Sequence, residues 1–459
     1  MSALLNESES SGLPARVGPR AVLSLAWPLM VSRLSDTIMM AVDTIFTGHL
    51  GTDALAGVGV AISATMLVGA FGQGLLGGVR VCASHRVGAG DRPAAARLAW
   101  QGLWLAGALG ALTWLALPFA QVWFHWLTES EAVAARAAPF FHVRVAGVPL
   151  FYGWFVLSGY FAATGDTRTP MVGTIAANLI NLALNPLFVF GLGPMPSLGT
   201  AGPALATVIA NGVNFGWLAW RFYRRAPRVE WAISRPLPRE IAKRGVPMGL
   251  DTLQDVSSFA LFIGFMARAG AAHVAAHVVV VRVVLFSFLP CYAIGEAGGV
   301  LVGQSLGARK PAHARSAWRV SVSLALGLTG MWAVLFVSAP GALLSLFHPA
   351  PEVLELGVRM LWIAAAFQLF DAVATTSFHC LNGAGDSRYT MATNLVCAWG
   401  MKLPLAWFMA AHLGLGAPGA WIGLTAEIVV AAALYGLRAR GSRWLEQADQ
   451  GAEVGAALA

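Results

Sequence analysis

Seven carboxylates stand inside or beside long apolar runs of this 459-residue chain: Asp36, Asp43, Asp251, Asp255, Glu296, Asp371 and Glu427. Arg33, Arg282 and Lys402 are basic residues set in the same kind of surroundings. An ionisable side chain at mid-membrane depth is costly unless it is paired, hydrated or neutralised, so each marks an ion or substrate pathway by default. Asp36 and Asp43 are seven residues apart, which on a helix is about two turns, or roughly 10 Å along one face. Arg33 and Asp36 are placed i,i+3 to pair. Asp251 and Asp255 share a face at i,i+4. Lys402 is available to neutralise one acid of the second half, and the residues alone leave open which one. Glu427 reads as polar packing near a helix end. The chemistry on offer is binding and release of a cation, with a carboxylate that burial can hold in its neutral form.

Other chemistries find little support. His49, His85, His125, His277 and His379 fall in or near the apolar runs, but the chain has no HExxH, no GxxxxGK[ST] and no evident nucleophile motif. Cys82, Cys291, Cys380 and Cys397 show no metal spacing and read as small buried packing residues. No cofactor is expected.

The elements that must carry these residues are membrane helices. Hydrophobic types make up 57% of the chain and charged types 11%. Mean hydropathy is +0.66. A soluble domain carries about 25% charged residues, so lipid is the solvent this composition fits. The 51 glycines and 17 tryptophans agree. Apolar segmentation predicts twelve spans, near 21–48, 54–84, 95–123, 134–164, 170–191, 200–222, 243–268, 274–305, 313–346, 354–383, 390–412 and 418–438. The first is too long for a signal peptide and reads as a retained helix.

The net charge of +8 raises nucleic acid as a partner, but the basic residues are sorted between spans. Arg221, Arg224, Arg225, Arg228, Arg235, Arg239, Lys243 and Arg244 lie between spans six and seven. Arg86, Arg92 and Arg97 follow span two, and Arg309, Lys310 and Arg315 follow span eight. Arg16 and Arg20 precede the first span; Arg438, Arg440 and Arg443 follow the last. The alternate loops, around Thr52, Glu129, Gly193, Pro349 and Leu413, are poor in Lys and Arg. The positive-inside bias therefore predicts both termini in the cytoplasm. Lipid is the expected partner, and not nucleic acid.

Two halves repeat each other in order. Pro28 matches Pro247, each eight residues before an aspartate. Gly77-Gly78-Val79 matches Gly298-Gly299-Val300. Gly165-Asp166-Thr167-Arg168 matches Gly385-Asp386-Ser387-Arg388, and Leu198-Gly199 with Gly202 matches Leu415-Gly416 with Gly419. Two six-helix units in the same orientation suit a transporter that handles substrate between its halves. The expected division is a tail at 1–20, a bundle at 21–223, a basic linker at 224–242, a second bundle at 243–440 and a tail at 441–459. Pro28 and Pro247 remove a backbone donor from helices one and seven, so each is a candidate bending point.

The stretch from Val42 through Gly51 resembles the first-helix signature of MATE (multidrug and toxic compound extrusion) exporters of the NorM type, within the MOP superfamily. Ala275-Ala276-His277 is similar to that family's element in helix eight, and the two Gly-Asp loops to its paired short loops. Asn181 with Pro186, then Gly202 through Thr207, fits its fifth and sixth helices. The resemblance spans about residues 20–440. It implies an all-α fold of twelve membrane helices in two pseudo-symmetric six-helix bundles. It also implies a monomer that antiports organic, often cationic, compounds against H⁺ or Na⁺ by alternating access.

The same resemblance makes Asp43 the coupling carboxylate of the first half. It places Asn181, Asn185 and Thr207 where relatives assemble a cation site, with interhelical hydrogen bonding as the other reading of the two amides. Asn185 stands where some relatives have aspartate; an amide brings no charge, which favours protons over sodium. Asp255 and Asp371 match acidic positions used for cation coupling or substrate contact, and Asp255 is one methylene shorter than the glutamate common at its position. The acids outnumber the bases in the helix interiors, which points to cationic or zwitterionic cargo. The rival readings are a lipid-linked saccharide flippase of the MOP superfamily and a dedicated natural-product exporter.

Overall fold

A computed structural model describes residues 17–128, 130–191, 196–229 and 236–445. Arg16, Glu129, Gly193, Arg235 and the tail after residue 445 lie outside the described residues.

Among the described residues every regular element is helical, and the helices follow one another as twelve segments. They are α1 (Pro19–Gly48), α2 (Thr52–Gly88), α3 (Arg92–Thr113, continued through Ala120–Leu127), α4 (Glu131–Ala146 and Val148–Ala163), α5 (Arg168–Phe190) and α6 (Ala201–Arg225). The second half repeats the series as α7 (Pro236–Arg268), α8 (Ala271–Gly307), α9 (Pro311–Ser338, with Pro340–Ser345), α10 (Pro351–Ala384), α11 (Ser387–Cys397, continuing to His412) and α12 (Gly416–Arg440).

Among the described residues, seven segments are long and apolar enough to cross a membrane by length and composition alone, and α4 joins them as a bent pair. α1 and α7 carry Arg33, Asp36, Asp43, Asp251 and Asp255, which lower their hydropathy.

Most helices run a few residues past their apolar cores because polar and proline signals start them. Asp91 caps α3 by accepting from Ala94 N at 2.8 Å, and Pro93 follows in the first turn. Pro311 and Pro351 open α9 and α10 as their first residues, without a side-chain cap.

Three segments depart from straight rods. α4, expected as one helix over 134–164, bends by 46° at Gly147, two residues before Pro149, whose missing N–H interrupts the ladder. α9 breaks at Ala339, before Pro340. α11 contains two π turns, Ala398–Lys402 and Phe408–His412. A π turn inserts a residue and re-aims the side chains beyond it.

The chain divides into two compact units. The first, here called the N-terminal unit, comprises Pro28–Ala83 and Asp91–Gly249. The second, the C-terminal unit, comprises Met1–Trp27, Ser84–Gly90 and Leu250–Ala459. In α1 the passage from one to the other falls at Pro28, and in α7 two residues past Pro247.

Within the N-terminal unit, Leu75, Leu76, Val79, Leu98, Tyr152, Val156 and Ile241 form one buried cluster. Phe124, Phe140, Phe141 and Val145 anchor another. In the C-terminal unit, Phe262, Met266, Met360, Phe367 and Trp421 form the core.

The repeated Gly-Gly-Val has a packing cause. A Cβ on Gly78 would come within 2.8 Å of the Ile241 carbonyl, and one on Gly299 within 2.5 Å of the His379 carbonyl. Each glycine lets α2 or α8 lie backbone-to-backbone against a neighbour in its own unit, the close approach that small residues permit in membranes.

The repeated Gly-Asp loops also have a local cause. Gly165 and Gly385 adopt φ of +87° and +91°, a region glycine enters without penalty. Asp166 then accepts from Thr169 N at 3.0 Å, and Asp386 accepts from Arg438 Nε at 2.8 Å.

Candidate functional site

In the N-terminal unit, α1 and α5 carry complementary rows of polar side chains. α5 presents Asn178, Asn181 and Asn185, and the outer two match the seven-residue spacing of Asp36 and Asp43. Asn178 Nδ2 donates to Asp36 Oδ1 at 3.2 Å and to Ser35 Oγ at 2.8 Å. Asn185 Nδ2 donates to Asp43 Oδ1 at 2.7 Å. Arg33 lies within electrostatic reach of Asp36, as the i,i+3 spacing allows.

Asp43 gathers the remaining groups. Thr207 Oγ1, from α6, is 3.1 Å from Asp43 Oδ2 and 2.9 Å from the Pro203 carbonyl. Its single proton serves one of the two at a time. Asn181 lies between these partners: its Oδ1 accepts from Asn185 Nδ2 at 2.9 Å, and its Nδ2 reaches Thr207 Oγ1 at 3.3 Å. Turned half a rotation, the Asn181 amide instead donates to Asp43 Oδ1 at 3.1 Å. Asn181 and Asn185 are fully buried, and Thr207 nearly so. The structure therefore brings together Asp43, Asn181, Asn185 and Thr207, four of the residues the sequence singled out in the first half, while Asp36 lies two turns away with Asn178. The Asn181 backbone carbonyl also lies 3.1 Å from Asn185 Nδ2, whose two hydrogens are shared among these oxygens. Asn185 Oδ1 is buried and accepts no hydrogen bond among the described residues.

Sequence reasoning missed two members of this site. Asn178 completes the α1–α5 pairing. Arg144, in α4, lies within electrostatic reach of Asp43 and supplies an opposite charge from a neighbouring helix. An arginine within the apolar run from Phe140 to Leu150 was the available signal.

The repeat does not duplicate this site. The spacing that carries Pro28 to Pro247 carries Asp43 to Phe262, a fully buried member of the C-terminal core.

The C-terminal unit holds a different arrangement. Lys402 Nζ pairs with Glu427 Oε2 at 3.3 Å, and both side chains are buried. This identifies the acid that Lys402 neutralises and corrects the reading of Glu427 as mere packing polarity: α12 turns it inward to α11. Asp255 lies within electrostatic reach of Lys402 and of Glu427. Asp251 accepts from Asn394 Nδ2 at 2.8 Å.

Asp371 stands apart on α10, accepting from Thr375 Oγ1 at 3.2 Å, with Cys291 of α8 in electrostatic reach. His277 accepts at Nδ1 from Trp421 Nε1 at 3.2 Å and is ringed by Phe259, Phe262 and Trp421. Its ring neighbours are aromatic, and its hydrogen bond is to Trp421 rather than to a carboxylate. Glu296 is buried in α8.

The geometry offers two separate functions. Asp43 is a carboxylate held by neutral donors from two neighbouring helices, able to take a proton or a cation. The C-terminal cluster is an ion pair with further acids beside it.

Comparison with known proteins agrees with this architecture. A probable multidrug resistance protein NorM of Pseudomonas putida is 30% identical over 425 residues, covering 90% of this chain and 92% of that one. Its counterpart in Pseudomonas aeruginosa is 31% identical over 435 residues, covering 91% and 88%. The solved structure of an outward-facing multidrug resistance MATE family transporter of the MOP superfamily superposes with a TM-score of 0.85 at 22% identity, covering 92% of this chain and 95% of that chain. The MatE family profile matches residues 28–187 and 247–408, one stretch in each half of the repeat. With both halves matched and the twelve-helix fold shared, the chain belongs to the MatE family.

Proposed function

We propose that this chain is a secondary multidrug exporter that exchanges organic cations or zwitterions for protons at Asp43, by alternating access across a bacterial inner membrane with both termini in the cytoplasm. The relatives named as multidrug resistance proteins support export of diverse compounds. The observation that carries the proton reading is the orientation of Asn185, whose amine, and not its oxygen, faces Asp43 at 2.7 Å. A sodium site wants several oxygens converging on one point, as hard cations do generally. Here a donor occupies that approach and stabilises the carboxylate without neutralising it.

Protonation of Asp43 from outside removes the charge that holds a cationic substrate, and the neutral pocket closes. Substrate arriving from the cytoplasm competes with the proton for the same carboxylate. Pro28 and Pro247 serve as bending points, a role supported by their place at or beside the passage between units.

Sodium coupling is the second reading. It is favoured by Asn185 Oδ1, a buried oxygen with no hydrogen-bond donor among the described residues.

Proton release on substrate binding tests the proposal. Adding ethidium to the purified protein in weakly buffered detergent should acidify the solution, and Asp43→Asn should abolish most of the signal. Unchanged release in the variant would remove Asp43 from the exchange. Release that disappears when sodium is present would favour the second reading.

A further inference from the structure

Lys402 stands on the π turn Ala398–Lys402, which turns its side chain into the interior of the C-terminal unit. Its Nζ is 3.3 Å from Glu427 Oε2, and Asp255 on α7 lies in electrostatic reach of both. Asp251, one turn before Asp255, accepts from the neutral Asn394 amide. The other titratable groups facing the cluster are the Cys397 thiol and the Tyr435 hydroxyl, which donates to the Thr390 carbonyl at 3.0 Å.

Two carboxyls, Asp255 on α7 and Glu427 on α12, thus share one ammonium, with Asp251 one turn away on α7. A buried ion pair of this kind contributes little net stability compared with apolar packing, so its consequence for ions is the more informative property. A group of acids without Lys402 would draw a monovalent cation from solution. With it, the counter-charge is already present and covalently held, so it is neither diluted nor exchanged. A compact ammonium with three donors can serve two carboxylates at once. A sodium ion entering beside it would meet a like charge in a medium that screens poorly.

We propose that Lys402 is a tethered counter-cation that sets the ion selectivity of the C-terminal unit: paired with Glu427 and facing Asp255, it closes this acidic cluster to sodium. The proposal rests on reading the chain as a cation-coupled antiporter, but its test reads binding and needs no transport.

The test is thermal melting of the full-length protein in detergent, with NaCl against N-methylglucamine chloride at equal ionic strength. An Asp43→Asn background removes the N-terminal carboxylate. Adding Lys402→Gln should produce saturable stabilisation by sodium, with an apparent affinity at least about tenfold tighter than the parent. A further Asp255→Asn should abolish that gain. The double substitution Lys402→Met with Glu427→Gln leaves no half of the pair unmatched. It should show the same Asp255-dependent gain if Lys402→Gln does not fold. A folded variant without the gain would overturn the proposal. So would a parent with Lys402 intact that already binds sodium through Asp255.

Discussion

Asn185 Nδ2 meets Asp43 Oδ1 at 2.7 Å across the α1–α5 interface of the N-terminal unit. Seven residues earlier on each helix, Asn178 meets Asp36 at 3.2 Å. Seven residues are about two helical turns, so one spacing on each helix serves both contacts. The candidate exchange site is the pair that also receives Thr207 from α6.

Replacing Asn185 with aspartate puts a second negative charge beside Asp43 and removes the donor facing it. Sodium affinity should rise at least about tenfold, equivalent to about 1.4 kcal/mol. Isothermal titration with NaCl in detergent reads this directly. No detectable gain would mean that the surrounding oxygens do not converge on a cation.

Thr207→Val keeps the shape of the side chain and deletes the hydroxyl that bridges Asp43 and the Pro203 carbonyl. Hydrogen bonds between membrane helices contribute about 0.6 kcal/mol each and at most about 1.7 in measured cycles. The variant should therefore lose about 1 kcal/mol of stability while remaining folded. Reversible denaturation in mixed micelles measures it. A loss of several kcal/mol would indicate that the Asn181–Asn185 network collapses with the hydroxyl.

The repeated Gly-Asp loops should differ in their contribution to stability. Asp386 is buried and bonds to the largely covered Arg438 at 2.8 Å, whereas Arg225 approaches the more exposed Asp166 at 3.5 Å. Removing one partner of a buried pair costs about 3 kcal/mol or more. An exposed pair contributes under about 1 kcal/mol, and the cap on Thr169 about 1 more. Asp386→Ala should thus destabilise clearly more than Asp166→Ala. Thermal melting of the two variants side by side decides it, and equal losses would contradict the comparison.

Gly383→Ala would drive a methyl group into the Gly299 carbonyl across the α8–α10 contact. Overpacking of this kind costs about 1–3 kcal/mol, and a lowered melting temperature with reduced expression should follow. Gly264→Ala, where open space surrounds the added carbon, is the matched control and should be near neutral or slightly stabilising.

Much of this fold was legible because lipid imposes strong constraints. Long apolar runs, Pro and Asp at helix starts, and basic clusters between spans placed all twelve segments to within a few residues, except that α7 begins seven residues before the expected start, at Pro236. The bend at Gly147 was less visible, since a glycine followed by Pro149 is compatible with several outcomes. The π turns of α11 were not legible at all. No local pattern in the sequence encodes them.

At the site, Asp43, Asn181, Asn185 and Thr207 were identified through family resemblance and are found together. Arg144 and Asn178 were missed because they lie on faces that only the crossing of α4 and α5 with α1 defines. The partner of Lys402 could not be read from spacing, because α7, α10 and α12 each offered an acid.

Proton-driven transport tests the central claim most directly. The protein would be reconstituted in sodium-free liposomes with a pH gradient imposed, and a fluorescent cationic dye followed, with Asp43→Asn beside the wild type. The account predicts dye movement that collapses when the gradient is dissipated and is lost in Asp43→Asn. Equal transport by wild type and Asp43→Asn, or transport that appears only when a sodium gradient is supplied, would contradict it.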